Sequence, residues 1–297
     1  MAKRISYLIS TRNRAKGLAQ CLEAVLKVDF PDWELIVVDN GSTDATADIV
    51  RSFQADHPDR IHYVFEPRPG LSRGRNAALQ ASSGSILVFS DDDCYPEPDF
   101  LQRIDAVFLA EPDISYLSGR IELFDPNDAP ETIKTSTRPE YFDSHRYIGS
   151  GKVVGANMAF RRTVFEAVGL FDPLLGAGTS LSSAEDQEMT MRASMNGFRG
   201  KYCPEAVVYH HHGRSVSEAA KLHGGYNIGR GGMNMKLLLS AQSFRYGVLG
   251  WLSLGKRMLR RQSSLRDELT GAMRYLKARR QVGVEHEVLS ARSPRND

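Results

Sequence analysis

Three consecutive carboxylates, Asp91-Asp92-Asp93, directly follow a hydrophobic run that ends in Phe89-Ser90. Like charges this close repel unless something neutralises them. A hard divalent cation does so, since Mg²⁺ or Mn²⁺ takes one or two carboxylates together with phosphate oxygens. A second acidic run end, Val37-Val38-Asp39-Asn40-Gly41-Ser42-Thr43-Asp44, offers Asp39 as an acceptor for a base or a ribose. Its Ser42 and Asp44 suit the cap and first turn of a helix. Pro69 to Asn76 sets Gly70, Gly74, Arg73 and Arg75 at a helix start. Free backbone N–H groups and the positive dipole end favour an anion there, and a diphosphate fits.

These residues need a frame that brings run ends together. Ile5–Ser10, Glu34–Val38, Ile61–Phe65 and Ser85–Ser90 read as strands. Between them lie helical patterns: one carrying Leu18, Leu22, Val25 and Leu26, one over Ala45–Phe53 and one over Leu71–Gln80. Such alternation predicts an α/β fold, with a mostly parallel twisted sheet covered by helices on both faces and ligands beyond the carboxyl ends of the strands. Phe100–Leu109 continues as helix and Ser115–Phe124 as strand, and the Pro-rich Asp125–Pro139 reads as a long surface loop. Val153–Phe160, Thr163–Val168, Ala184–Asn196 and Ala206–Tyr209 follow as strand, helix, helix and strand. The expected organisation is a catalytic domain over residues 1–214 and a helical C-terminal region over 215–281, interrupted at the Gly-rich Gly224–Gly232. A frayed tail over 282–297 ends the chain.

Composition bounds the reading. With 41% hydrophobic and 25% charged residues, the chain can bury the core of one large domain plus an appendage. A net charge of +2 makes no case for nucleic acid. Residues 255–297 nevertheless carry 11 Lys/Arg against 5 Asp/Glu. Cys21, Cys94 and Cys203 are odd in number and far apart, which offers neither a disulfide framework nor a CxxC site. No signal-peptide pattern and no stretch of about 18 apolar residues is present, so a cytoplasmic setting is expected. Val248–Leu254 followed by Lys256-Arg257 and Arg260-Arg261 fits two roles. One is peripheral contact with the inner face of the cell membrane; the other is packing on the catalytic domain.

Four ordered motifs, Ser10-Thr11-Arg12-Asn13-Arg14, Val38–Asp44, Gly70–Asn76 and Asp91–Asp93, resemble those of family 2 glycosyltransferases of the GT-A fold. The resemblance extends through Gly155–Arg162, Gly169–Asp172 and Glu185-Asp186, covering roughly residues 5–213. It implies an inverting transfer from a nucleotide-diphosphate sugar, with a UDP-sugar the modal donor. The acceptor would be the hydroxyl of a glycan, a lipid-linked sugar or another molecule, as in polysaccharide biosynthesis. Thr11, Asn13, Arg14, Asp39, Arg75, Asn76, Asp91 and Asp92 would then contact the donor, and Asp93 would hold Mg²⁺ or Mn²⁺.

Inversion needs a base opposite the leaving group. Asp186 is the candidate and Glu185 the second choice. A capping box of Ser182 with Glu185 would leave Asp186 free, whereas pairing of Ser183 with Asp186 would reverse the roles. In His210-His211-His212 successive side chains point to opposite faces, so at most two can share a metal, and the resemblance selects His210. Two other classes fit less well. A nucleotidyltransferase usually has a Gly-rich loop after its first strand, where this chain has Ser10–Arg14. A non-catalytic carbohydrate-binding relative has no need of a base.

Overall fold

The computed structural model describes residues 3–259 and 263–292. Its first half is a run of βα units. It comprises β1 (Ile5–Thr11), α1 (Leu18–Val25), β2 (Trp33–Asp39), α2 (Thr46–Asp56), β3 (Ile61–Phe65), α3 (Leu71–Ala81) and β4 (Ile86–Ser90). Every residue of β2 and β4 is buried, the mark of strands covered on both faces. In α1 the buried positions Leu18, Cys21, Leu22 and Val25 fall on one helical stripe.

Beyond β4 come β5 (Cys94–Pro96), α4 (Phe100–Ala110), β6 (Ile114–Leu123), β7 (Glu140–Phe142), β8 (Asn157–Arg161) and α5 (Arg162–Val168). The chain continues with α6 (Glu185–Met195), β9 (Arg199–His210), α7 (Val216–Leu238), α8 (Phe244–Leu259) and α9 (Leu265–Arg292). The strands form one sheet in the order β3-β2-β1-β4-β8-β6-β9-β5, with β7 beside β9. The β1–β4 section is parallel, as helical crossovers require. The rest is mixed: β8 runs antiparallel to both β4 and β6, while β6 and β9 are parallel.

Three departures from expectation have local causes. Strand β9 begins at Arg199 rather than Ala206, and its pairing with β6 slips between Cys203 and Val207. Pro204, which has no N–H to donate, lies in that slip and disguises the first half of the strand. Strand β8 starts only at Asn157, because Asn157 N–H turns back to the Val154 carbonyl at 3.0 Å. That turn leaves the Gly155 backbone available to other partners. Third, α7 runs unbroken through Gly224–Gly232.

The chain divides into two compact units, one of Met1–Phe171 with Asp186–Lys221, the other of Asp172–Glu185 with Leu222–Asp297. Helix α9 continues past residue 281 to Arg292, and residues 293–297 lie outside those described. Among the described residues no helix is long and apolar enough to cross a membrane. Within the second unit the glycines of α7 serve contact rather than a break. A Cβ on Gly231 would sit 1.9 Å from the Glu268 carbonyl oxygen, and one on Gly271 would sit 1.9 Å from that of Ile228. Two helix backbones approach closely at those points. Gly231→Ala is therefore expected to destabilise the chain by about 1–3 kcal/mol, because a rigid carbonyl must move. Urea unfolding of the two proteins measures this, and an unchanged midpoint would refute the close approach.

Candidate active site

Strand register assembles the site. Thr11 pairs with Asp39 across β1 and β2, and Ile9 with Ser90 across β1 and β4. Thr11, Asp39 and the triad Asp91–Asp93 thus emerge together at the carboxyl edge of the parallel section. Asp39 is buried, with Oδ1 accepting from Ser42 N–H at 2.8 Å and Oδ2 from the Tyr63 hydroxyl at 3.1 Å. Asn40 ties this edge to α3. Its Oδ1 accepts from Gly70 N–H at 2.7 Å, and its Nδ2 donates to the Arg68 carbonyl at 2.8 Å. Asn13, at φ 53°, clamps two loops: Oδ1 accepts from Thr43 N–H at 2.8 Å, and its own N–H donates to Ser42 Oγ at 2.9 Å.

The triad has cationic partners from within the chain, a pairing that sequence analysis did not anticipate. Arg14 bridges two of the three carboxylates, with Nε 3.0 Å from Asp92 Oδ1 and Nη2 2.7 Å from Asp93 Oδ2. Buried Arg75 lies 3.4 Å from Asp91 Oδ1 and donates to the Gly155 carbonyl at 3.2 Å. Both arginines were expected on the donor. The hint to their second role was charge complementarity, across 79 positions for Arg14 with Asp93 and 16 for Arg75 with Asp91. Asn76 is also engaged, exchanging two 2.9 Å hydrogen bonds with the backbone of Phe171.

Burial sets the protonation of the triad. It pushes the Asp91 carboxyl up against the pull of Arg75, and it pushes Asp92 up to about 6 despite Arg14. Asp93 is also buried, yet His210 and Arg14 hold it below the usual carboxylate range. His210 mirrors this. Burial opposes its charge, but Asp93 raises its pKa, with Nε2 3.2 Å from Asp93 Oδ1.

Alternation separates His211 from its two neighbours, whose rings lie 5.1 Å apart. His211 meets the Tyr95 hydroxyl at 3.2 Å, and His212 is buried against the Ala129 carbonyl at 2.7 Å. His210 alone of the three joins the triad, and its Nδ1 lies 3.0 Å from Thr132 Oγ1. Thr132 is a β-branched residue at φ 56°, a conformation that costs energy and recurs at functional sites. Its hydroxyl donates to the Glu131 carbonyl at 2.6 Å, so it can only accept from His210. This arrangement suits the tautomer with a proton on Nδ1, and Nε2 is the nitrogen turned to Asp93.

Asp93, Cys94 and His210 present ligand atoms within 4.8 Å of one another. Burial pushes the Cys94 thiol well up, which leaves a carboxylate and an imidazole as the effective donors. That pair fits a divalent cation such as Mn²⁺.

Helix α6 opens at Glu185, preceded by Ala184 at φ 74° and Ser182 at φ 61°. Neither serine occupies the cap, and Ser183 Oγ donates instead to the Gly225 carbonyl at 3.2 Å. The capping-box argument therefore fails in both registers. Burial separates the two acids instead. Glu185 is buried, whereas Asp186 is partly exposed, with Oδ2 accepting from Gly155 N–H at 3.0 Å and Oδ1 from Gln187 N–H at 2.7 Å. Gly155 thus joins Asp186, through its N–H, to Arg75 and Asp91, through its carbonyl.

Known proteins share this arrangement of chain and sheet. A family model described as glycosyl transferase family 2 matches residues 6–169, more than half of the chain. Glycosyltransferase AglE of Haloferax volcanii is 29% identical over 84% of this chain and 80% of its own. The poly(ribitol-phosphate) beta-N-acetylglucosaminyltransferase TarS of Staphylococcus aureus is 26% identical over 70% of this chain, which spans 35% of that protein. The fold is that of the mannosyltransferase PcManGT from Pyrobaculum calidifontis, solved with GDP-Man and Mn²⁺. The TM-score is 0.63 at 20% identity, over 93% of this chain and 88% of that one. S. aureus TarS 1-349 with UDP-GlcNAc gives a TM-score of 0.60 at 21% identity, over 82% and 69%.

Proposed function

The chain belongs to glycosyl transferase family 2, and from that premise we propose that it is an inverting transferase of a sugar from a nucleotide-diphosphate donor to an acceptor hydroxyl. The observation that carries this reading is the convergence of Asp91–Asp93, His210 and Asp186 on Arg14, Arg75 and Gly155, with Asp39 at the same carboxyl edge of the sheet. Asp39 and Thr11 receive the nucleoside. Asp93 and His210 would hold the divalent cation, with Asp91 beside them. When bound, that ion supplies neutralisation of the charge developing on the departing diphosphate.

Asp186 is the general base. As the acceptor oxygen attacks the anomeric carbon, Asp186 takes its proton. The carbon–oxygen bond to the diphosphate breaks on the opposite face, its electron pair leaves with the nucleoside diphosphate, and the configuration inverts. The Gly155 and Gln187 N–H groups fix the carboxylate for this task, each leaving a lone pair on its oxygen. Arg14 and Arg75 offset part of the charge of the acidic cluster and so lessen its repulsion of the donor's phosphates. TarS with UDP-GlcNAc and PcManGT with GDP-Man support a nucleotide-sugar donor, of which a UDP-sugar is our choice for this chain.

The deciding experiment incubates the purified chain with a panel of nucleotide sugars and Mn²⁺ and measures nucleoside diphosphate release. Metal-dependent release from one donor is expected. Absence of binding and turnover with every donor, or pyrophosphate formation from a nucleoside triphosphate and a sugar phosphate, would end this reading.

Thr132 gives a narrower prediction. Thr132→Val keeps the shape but removes the hydroxyl that fixes His210, so Mn²⁺ affinity should fall by about 10–100-fold, while Thr132→Ser retains it. Calorimetric titration of Mn²⁺ into each protein reads this, and equal affinities would remove Thr132 from the metal site.

A further inference from the structure

The outward face of α8 is apolar. Phe244, Val248, Leu249, Leu252 and Leu259 are exposed, Leu252 at 68% and Leu259 at 89%. Tyr246, Gly247, Gly250 and Leu254 form the opposite, buried face. A surface helix of a soluble domain normally reverses this pattern, with charge outward. Here both faces are apolar. Exposed apolar residues gathered on one element mark an interaction surface, unlike singly scattered ones.

Charge identifies what covers it. Every charged residue of α8 is basic: Arg245 near its start, Lys256 and Arg257 near its end. Residues 244–280 hold ten Lys/Arg and two Asp/Glu. Of the two acids, Glu268 is fully buried between Arg230 and Arg257 at 2.9 Å from each, so it offers no negative charge to an approaching surface. On α9 the exposed Leu265, Leu269 and Met273 recur every fourth residue beside exposed Arg266, Arg274 and Lys277. Apolar side chains flanked by cations match a layer with a hydrocarbon interior and anionic headgroups. A second copy of the chain docking through this same face would need acidic groups opposite these cations, and among the described side chains of α8 and α9 the one acid that is not buried is Asp267.

We propose that α8, supported by the start of α9, is a docking surface for an anionic lipid bilayer, lying in the headgroup plane with Phe244, Val248, Leu249, Leu252 and Leu259 inserted. The surface holds the chain on a membrane without spanning it. This inference does not depend on the transfer chemistry.

The test is co-sedimentation of the full chain with vesicles of phosphatidylcholine alone and of phosphatidylcholine with phosphatidylglycerol, without donor or acceptor. Binding should be confined to the anionic vesicles and should weaken with added salt. The double variant Leu249→Glu/Leu252→Glu should lower the partition coefficient at least about tenfold, since it removes inserted apolar area and adds repulsion. Both positions are exposed, so folding is preserved, which thermal melting checks. Arg245→Glu/Lys256→Glu should weaken anionic binding while keeping every apolar side chain. Two results overturn the proposal: equal affinity of wild type and the Leu variant for anionic vesicles, or no vesicle binding by a wild type that forms dimers which the Leu variant abolishes. In either case nucleotide-sugar turnover in solution remains a separate measurement.

Discussion

Asp186→Asn is expected to lower turnover by about 10²–10⁴-fold, the range over which a positioned general base acts, with donor and metal affinity little changed. The substitution is chosen for its geometry. An amide oxygen at this position still accepts from Gly155 N–H, which the carboxylate contacts at 3.0 Å, so the link through Gly155 to Arg75 and Asp91 persists. What disappears is the ability to take a proton, together with the bond from Gln187 N–H, which then faces the amide nitrogen. A fall in kcat with an unchanged KM for the donor is the signature of a group acting in the transition state. Glu185→Gln serves as the counter-test. Glu185 is buried, so the neutral amide should affect stability more than turnover. If Asp186→Asn stayed within a few-fold of wild type while Glu185→Gln lost activity, the base would be Glu185.

Removal of the metal should have an effect of similar size. Chelation is expected to bring transfer to background, and Mn²⁺ should restore it in the wild type but not in Asp93→Ala. The variant loses one of the two strong donors and leaves Arg14 and His210 each short of a partner. Full restoration by Mn²⁺ in Asp93→Ala would place the cation elsewhere. In the metal-free protein the Asp93–His210 pair also imposes a pH window. Asp93 has a depressed pKa, so its contribution to stability is complete above its unfolded value and lost as pH falls through the folded one. His210 has a raised pKa, so its contribution is complete below its unfolded value and lost as pH rises through the folded one. The pair therefore contributes most between about pH 4 and 6.5. The cation needs neutral His210, so Mn²⁺ affinity should rise with pH across neutrality. Calorimetry at two pH values reads the sign.

How much of this was legible in sequence depends on the range of the interaction. The strands ending in Asp39 and Ser90 and the stripe of α1 follow from local periodicity, because burial imposes a repeat on the residues themselves. The helices of the C-terminal region were legible too, but the role of their glycines was not. Gly231 reads as a break when only its own propensity counts, and as a contact once Glu268 lies against it. The three-residue strands β5 and β7 carry too few residues for any repeat to register.

By itself the sequence determined which residues stand at strand ends, and that three carboxylates there demand positive charge. Tertiary structure alone decided where part of that charge comes from. Arg14 meets Asp93 across 79 positions and His210 meets it across 117, because the parallel register of β1 and β4 and the pairing of β5 with β9 bring them there. Structure likewise distinguished Asp186 from Glu185. One accepts from the Gly155 backbone at a turn in the chain and stays partly open, while its neighbour is buried. A strand pattern records which face a residue takes. It does not record what lies opposite, and that is what sets charge pairing and burial.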